Sequence, residues 1–167
     1  MLIKEKIGNI NSFAINNRII DYLLLEWHES NKRILHKKTQ SGKEVIMKFL
    51  KENQNLTQGD IVYEDESSII AIDIIDCDVI IIRPKTMLEM ASVCYEIGNK
   101  HLPLFFCRDE VLVAYEAPLF RLLVRAGYDV AQGKGKLINP LKTTVETHVH
   151  TSEALFSRMM KRTTTPE

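Results

Sequence analysis

Three histidines have the residue type and spacing to bind a metal ion. His101 follows residues 96–100, where a Gly-Asn pair predicts the end of a helix, so its imidazole is expected at a helix terminus, facing solvent or a partner. His148 and His150 are two positions apart, and in extended backbone such side chains point to the same side and can reach one ion. Imidazole suits nickel, copper and zinc, whereas calcium and magnesium prefer oxygen ligands.

A metal site built from these residues needs ligands from more than one source. We expect an ordered His101 and a flexible His148/His150 pair to form a site that captures an ion and then releases it. A symmetric homodimer would supply a second His101. Because protons compete for imidazole, metal binding is expected to weaken below about pH 6. The alternatives do not involve a metal. A positive His101 imidazole would complement the helix dipole, and His148 and His150 would be solvated side chains.

Signals for other chemistry are weak. No GxSxG, P-loop, HExxH or GxGxxG motif occurs, so the chain is not expected to be an enzyme. A general base at His101 would need a partner carboxylate that the sequence does not reveal. Residues 133–136 (GKGK) are expected to be a solvated linker rather than a phosphate site, and Cys94 and Cys107 are expected to be buried.

The composition narrows the class of protein. The 167 residues include 22 basic and 22 acidic side chains, so no basic field attracts nucleic acid or an anionic membrane. The three cysteines form no CxxC motif and predict free thiols in a reducing cytosol. The first ten residues lack a signal-peptide pattern, and three aspartates interrupt the apolar run 69–82, so we expect a cytoplasmic protein without a membrane span.

The first half of the chain has strand patterns. Residues 43–49 alternate apolar and polar side chains, and Ser41-Gly42 predicts a hairpin turn back to residues 33–39. Further strands are expected at residues 19–27, 61–64 and 68–75. Residues 1–76 are therefore predicted to form a small all-β domain, a sandwich or partial barrel.

The pattern changes near Cys77. A strand at residues 79–82 precedes a capping box, Thr86-x-x-Glu89, which predicts a helix to about Gly98. Leu88, Ala91 and Tyr95 are expected to face inward, with Cys94 as a further candidate. Strands at 102–107 and 111–115, a helix opened by Pro118 and a last strand at 128–131 complete the order βαββαβ. The prediction is an α+β chain with a ferredoxin-like domain at 77–132 and a flexible C-terminal tail at 133–167 that carries the HxH.

Several runs resemble the urease accessory protein UreE family. The most specific is EIGNKH at residues 96–101, preceded by KTMLEMA at 85–91. The runs LEW at 25–27, KRIL at 32–35, QGDIVY at 58–63 and DEVLV at 109–113 are also similar to that family.

The resemblance implies a nickel metallochaperone with an N-terminal domain of the peptide-binding type and a ferredoxin-like domain that forms the homodimer. It implies that His101 and its symmetry mate hold Ni(II), that His148 and His150 add ligands, and that Zn(II) or Cu(II) can occupy the same site. The expected partners are apo-urease, the urease accessory GTPase and other urease accessory proteins.

Two departures from the family pattern are expected to matter. The chain has no long polyhistidine tail, and no histidine pair occurs on the strand with Val111 and Val113, so neither bulk nickel storage nor a second internal site is expected. The alternative hypothesis is a protein-interaction module that binds peptides through its β domain, with incidental metal binding.

Overall fold

The computed structural model describes residues 1–49 and 55–141, and its first half is built from β strands. One 3-10 turn, Trp27–Glu29, interrupts them. The strands are β1 (Leu2–Ile3), β2 (Gly8–Asn9), β3 (Ile19–Leu25), β4 (Ile34–Lys38), β5 (Glu44–Lys48), β6 (Asp60–Glu64) and β7 (Ser68–Ile74). The all-β prediction for this half is confirmed.

These strands form two sheets that pack face to face. One has the order β1-β5-β4 and the other the order β2-β6-β7-β3. The β4–β5 hairpin turns at Gly42, whose φ of 90° favours glycine. Alternate side chains from both sheets form one apolar core, as period-two strands with one buried face require; it includes Leu23, Leu25, Leu35, Val45, Met47, Ile70 and Ile72.

The second half is a ferredoxin-like unit. Its elements are β8 (Cys77–Ile82), α1 (Met87–Asn99), β9 (Phe105–Cys107), β10 (Glu110–Ala114), α2 (Ala117–Arg125) and β11 (Val130–Gly135). The sheet order is β11-β8-β10-β9, and each neighbouring pair is antiparallel. The βαββαβ order and the α+β class are confirmed.

Both faces of this second sheet are used. The helices cover one face, where Ile80, Val111, Leu119 and other buried side chains form a core. On the opposite face, a smaller cluster contains Val79, Phe105, Leu112 and Leu137. Trp27 of the N-terminal half packs against this second cluster and also against the N-terminal core, so it joins the two halves.

The inward face predicted for α1 is wrong for Leu88, Ala91 and Tyr95, and only Cys94 packs inward as expected. Val93 and Ile97 are fully buried, with Met90 and Cys94 packed beside them, a spacing of i, i+3, i+4, i+7. Leu88, Ala91 and Tyr95 instead point outward. Both sides of this helix carry apolar side chains, and the sheet packs against the side that contains Val93 and Ile97.

The expected end of the second domain at residue 132 falls within a strand. β11 pairs with β8 through Gly135, which lies opposite Cys77. Residues 136–141, which we call the strap, continue from β11 and pack between the two halves of the molecule, with Leu137 buried and Ile138 partly buried.

Within residues 1–49 and 55–141, no helix is long and apolar enough to cross a membrane.

Candidate functional site

His101 lies directly after α1, in a left-handed backbone conformation with φ of 55°. The sequence predicted that Gly98 and Asn99 break the helix, but both remain helical, and Lys100 is the C-cap. The His101 amide donates to the Gly98 carbonyl oxygen at 2.9 Å, and the Leu102 amide donates to the Ile97 carbonyl oxygen at 3.4 Å. These two bonds define a Schellman motif with His101 at its C′ position.

The same motif ends α2, where Gly127 takes the C′ position. Its φ is 82°, its amide donates to the Val124 carbonyl oxygen at 3.0 Å, and the Tyr128 amide donates to the Leu123 carbonyl oxygen at 3.3 Å. Glycine is the usual residue there, because a Cβ atom makes the left-handed conformation unfavourable by about 1 kcal/mol. A histidine in this position carries that cost, so its side chain is a candidate for function.

An exposed apolar stripe runs along α1 toward His101. Leu88 is 77% exposed and Tyr95 is 70% exposed, and Ala91 and Gly98 lie on the same outward side of the helix. A Cβ added at Gly98 would meet no atom of the described residues within 4 Å. Nothing in the described chain therefore requires glycine at this position.

His101 is exposed, and the described part of the chain surrounds it with few ligands. No group of three or more His, Cys, Asp or Glu side chains that could hold a metal ion occurs within residues 1–49 and 55–141. A site at His101 therefore has to take its further ligands from elsewhere.

Two of the three thiols, Cys77 and Cys94, are poor alternatives as ligands. Burial raises the pKa of Cys77, with smaller contributions from Glu26, Asp78 and Asp76, and burial also raises the pKa of Cys94. A raised pKa disfavours the thiolate that binds metals. Cys94 packs against the helix-side core, but Cys107 is exposed at the β9–β10 hairpin, so its predicted burial is wrong.

The other histidines are placed differently. His28 and His36 are exposed, with the His28 ring 5.5 Å from the Trp27 ring. His148 and His150 lie outside the described residues. The described chain nevertheless ends close to His101, because the Leu141 amide donates to the Leu104 carbonyl oxygen at 2.8 Å.

A cleft of about 620 Å³ lies between the two halves of the molecule. Trp27, Leu56 and Phe105 contribute apolar surface, and Asn31 and Asn139 contribute polar groups. Pro103, two residues after His101, also lines it. The cleft is therefore adjacent to the chain segment that carries the candidate ligand.

The GKGK segment is not the linker that the sequence predicted, because most of it belongs to a strand. Gly133 and Gly135 belong to β11, and a Cβ at Gly133 would lie 2.9 Å from Cδ1 of Ile81. Lys134 pairs with Asp78 at 3.0 Å, and Lys136 pairs with Asp73 at 2.5 Å.

Two aspartates of the interrupted apolar run, Asp73 and Asp78, therefore have specific lysine partners. Glycines in strands hide the strand pattern. The spacing of Lys134 and Lys136, two residues apart, was the signal in the sequence that indicated a strand.

The fold and the exposed histidine define a class of protein. It is a two-domain α+β protein with a candidate metal-binding histidine, His101, on the surface of its ferredoxin-like domain. Residues 3–74 match the model of the UreE urease accessory protein N-terminal domain, and residues 77–156 match that of its C-terminal domain. The chain belongs to the UreE urease accessory protein family. That family consists of accessory proteins, and the chain is accordingly not an enzyme.

Curated relatives agree with this assignment. The chain is 48% identical over 161 residues to the urease accessory protein UreE of Flavobacterium johnsoniae, which covers 96% of this chain and 98% of that protein. It is 42% identical over 145 residues to the UreE of Actinobacillus pleuropneumoniae, covering 84% and 78%. With the UreE of Acetivibrio thermocellus the identity is 31% over 150 residues, covering 90% and 97%. The family match extends to residue 156, beyond the last similar run quoted from the sequence, DEVLV at residues 109–113.

Proposed function

We propose that the chain is a homodimeric nickel chaperone that carries Ni(II) to apo-urease while the urease active site is assembled. The two copies of His101 bridge one nickel ion across the dimer axis. His148 and His150 complete its ligand set or pass the ion on. The observation that carries this proposal is the exposed His101 in a left-handed backbone conformation, at the end of an exposed apolar stripe.

The stripe supports the dimer. Exposed Leu88 and Tyr95 side chains gain free energy when a second copy covers them, at about 25 cal/mol per Å² of apolar surface. An isologous contact brings the same patch of both copies together, and residues near its axis meet their own counterparts. A dimer through this stripe would therefore place two His101 side chains near each other.

Ligand exchange is the expected mechanism of transfer. His101 is exposed, so a dimer-bridging ion stays accessible to incoming ligands. Imidazole binds nickel but also zinc and copper, so Zn(II) or Cu(II) competes for the same site. The partners in delivery are the urease accessory GTPase, other urease accessory proteins and apo-urease. Three free cysteines fit a reducing compartment such as the cytoplasm.

Nickel titration of the full chain tests the proposal. The wild type is expected to bind one nickel per dimer at the bridging site, and His101→Ala is expected to lose it. His36→Ala removes an exposed histidine of the N-terminal half and serves as the matched control. Unchanged affinity and stoichiometry in His101→Ala would rule out the bridging site. His148→Ala/His150→Ala is expected to retain the bridging ion with lower affinity.

One observation favours the second candidate function, a protein-interaction module. The outer face of the three-stranded sheet exposes Leu2, Ile34 and Ile46 at 55%, 64% and 41%, and Leu2 lies directly opposite Ile46. Ile34→Glu separates the candidates. It should leave nickel binding intact in a nickel chaperone, whereas a peptide binder that uses this face would lose its partner.

A further inference from the structure

The cleft between the two halves has a mainly apolar lining. Both halves contribute to it, through the side chains of Trp27, Leu56, Ile74, Phe105, Leu137 and Ile138. Trp27 and Ile138 are only partly buried, so water reaches apolar surface inside the cleft. Its volume of about 620 Å³ lies within the range of about 300–1,000 Å³ that is usual for ligand pockets. Covering this surface with an apolar group is therefore favourable.

The charges of the cleft limit what it can hold. No carboxylate is among the described residues that line it, and its ionisable side chains are Lys6 and His28. The Lys6 ammonium lies 3.2 Å from the buried Asp60 carboxylate, which balances its charge. A cation would find no group of opposite charge in this lining, and burial of an unpaired charge is costly. Charge complementarity therefore favours an occupant that is uncharged where it is buried.

The polar groups of the cleft match those of a peptide backbone. Asn31 and Asn139 carry side-chain amides, which have the same C=O acceptor and N–H donor as a peptide group. Asn31 is exposed, and Asn139 uses one donor, since its Nδ2 donates to the Phe106 carbonyl oxygen at 3.4 Å. Thr57 adds a hydroxyl group. These groups suit an extended main chain better than an apolar small molecule.

The strap adds backbone groups to the same wall. Its end pairs with the strand β9 and the residue before it, because the Phe106 amide donates to the Asn139 carbonyl oxygen at 3.0 Å and the Leu141 amide to that of Leu104 at 2.8 Å. The backbone N–H and C=O of Ile138 form no hydrogen bond with another described residue. An extended peptide can add as a further strand to such an unpaired edge.

We propose that the cleft is a binding site for an extended, uncharged peptide segment of a partner protein. An apolar side chain of the segment covers Trp27, and its main chain pairs with the asparagine amides and with the strap at Ile138. The site shares no residue with the outer face of the three-stranded sheet and does not include His101. Binding is therefore expected to be independent of nickel and to persist in His101→Ala.

A library of random dodecapeptides displayed on phage, selected on the full chain, supplies the probes. Selected sequences without tryptophan are synthesised with blocked ends and titrated while the emission of Trp27, the single tryptophan, is followed. The expected peptides have an uncharged apolar centre. Binding should move the emission to shorter wavelength, because the peptide excludes water from the indole.

Two variants fill the cleft from exposed positions on its rim. Asn31→Phe and Thr57→Phe each add a bulky side chain where the fold does not require a small one, and each should weaken peptide binding at least about 10-fold. Asn11→Phe makes the same change at an exposed asparagine outside the cleft and should bind as the wild type does. Ile34→Glu, on the outer face of the three-stranded sheet, should also retain binding.

Peptides with single N-methylated amides test the backbone pairing. Methylation should abolish binding at alternate positions, as expected for an added strand. Tolerance of methylation at every position would overturn the pairing and leave an apolar pocket for small molecules. Equal affinities for wild type, Asn31→Phe and Thr57→Phe, or a loss only in Ile34→Glu, would place the site elsewhere. Selection of cationic peptides, or no enrichment over Asn31→Phe, would also overturn the proposal, and a Trp27 emission that changes with protein concentration alone would assign the cleft to a second copy.

Discussion

His101 and Gly127 occupy the same position of the same structural motif, the left-handed C′ residue of a Schellman motif, at the ends of α1 and α2. Glycine adopts this conformation without a steric cost, and histidine does not. The two positions can therefore be compared directly. Gly127 fits the left-handed backbone conformation, whereas His101 adopts it at a steric cost.

Replacing His101 with glycine should therefore increase stability while removing nickel binding. We expect His101→Gly to raise the free energy of unfolding by about 1 kcal/mol. Gly127→Ala should lower it by a similar amount, since φ at Gly127 is 82°. Urea denaturation of the metal-free chain measures both changes. A His101→Gly variant less stable than wild type would show that the imidazole makes a structural contact and would weaken its assignment as a ligand.

The stripe on α1 should control the oligomeric state. Tyr95→Glu places a charge on a side chain that is 70% exposed, so the fold should be retained, whereas burial of that charge between two copies is costly. We expect the dimer dissociation constant to rise at least about 100-fold, as for a central interface residue, and nickel affinity to fall with it.

Sedimentation at several concentrations measures the effect of Tyr95→Glu. Ile34→Glu, which charges a comparably exposed side chain in the N-terminal half, is the control and should remain dimeric. If Tyr95→Glu dimerises at the same protein concentrations as the wild type, the dimer interface lies elsewhere than on this stripe.

The order of elements was predictable from sequence because each element carries its own local signal. The Thr86 N-cap appears as expected, with the Glu89 amide donating to Thr86 Oγ1 at 3.1 Å. The Glu89 carboxylate accepts from the amide of Lys85, one residue before the cap, at 2.7 Å. Gly127 lies at the C′ position of α2, where glycine is the usual residue. Caps and turns depend on a few neighbouring residues, so their patterns are visible in one chain.

What the sequence did not reveal depends on contacts between distant residues. The choice between two apolar faces of α1 is made by the sheet, and β11 is held by β8 although its glycines weaken the strand pattern. The strap is positioned by Asp73, 63 residues away in sequence from Lys136. The tail histidines lie outside the described residues, so their role as ligands stays a prediction.

Acid should weaken the attachment of the strap to the N-terminal half. Burial acts to raise the pKa of Asp73, but the hydrogen bonds from Lys136 and Gln58 and the charge of Lys136 outweigh it and hold the pKa below its usual value. A carboxyl group whose pKa is lower in the folded chain stabilises the fold at pH values above its pKa in the unfolded chain, about 3.9. This contribution is lost as the pH falls through the pKa of the folded chain.

Comparison of wild type with Asp73→Asn isolates this effect. The difference in unfolding free energy should be about 1 kcal/mol and constant above about pH 5, and it should shrink as the pH falls below about 4. Asp76→Asn, at an exposed neighbouring position, is the control. A difference that grows toward low pH would contradict the assigned direction of the pKa shift.

The contact between Trp27 and Phe105 should report on the junction of the two halves. Their ring centroids are 5.6 Å apart at an interplanar angle of 80°, an edge-to-face pair, and Trp27 is the single tryptophan of the chain. Phe105→Ala should lower the free energy of unfolding by about 3 kcal/mol and shift the tryptophan emission to longer wavelength as water reaches the indole.

Phe106→Ala is the matched control for that junction. Phe106 packs against the helix-side core on the other face of the same strand, so its truncation should destabilise the domain without changing the emission of the folded chain. Equal emission shifts in both variants would mean that the indole senses general loosening rather than the junction. If only Phe105→Ala shifts the emission, Trp27 becomes a probe of whether nickel or a partner bound near His101 moves the two halves apart.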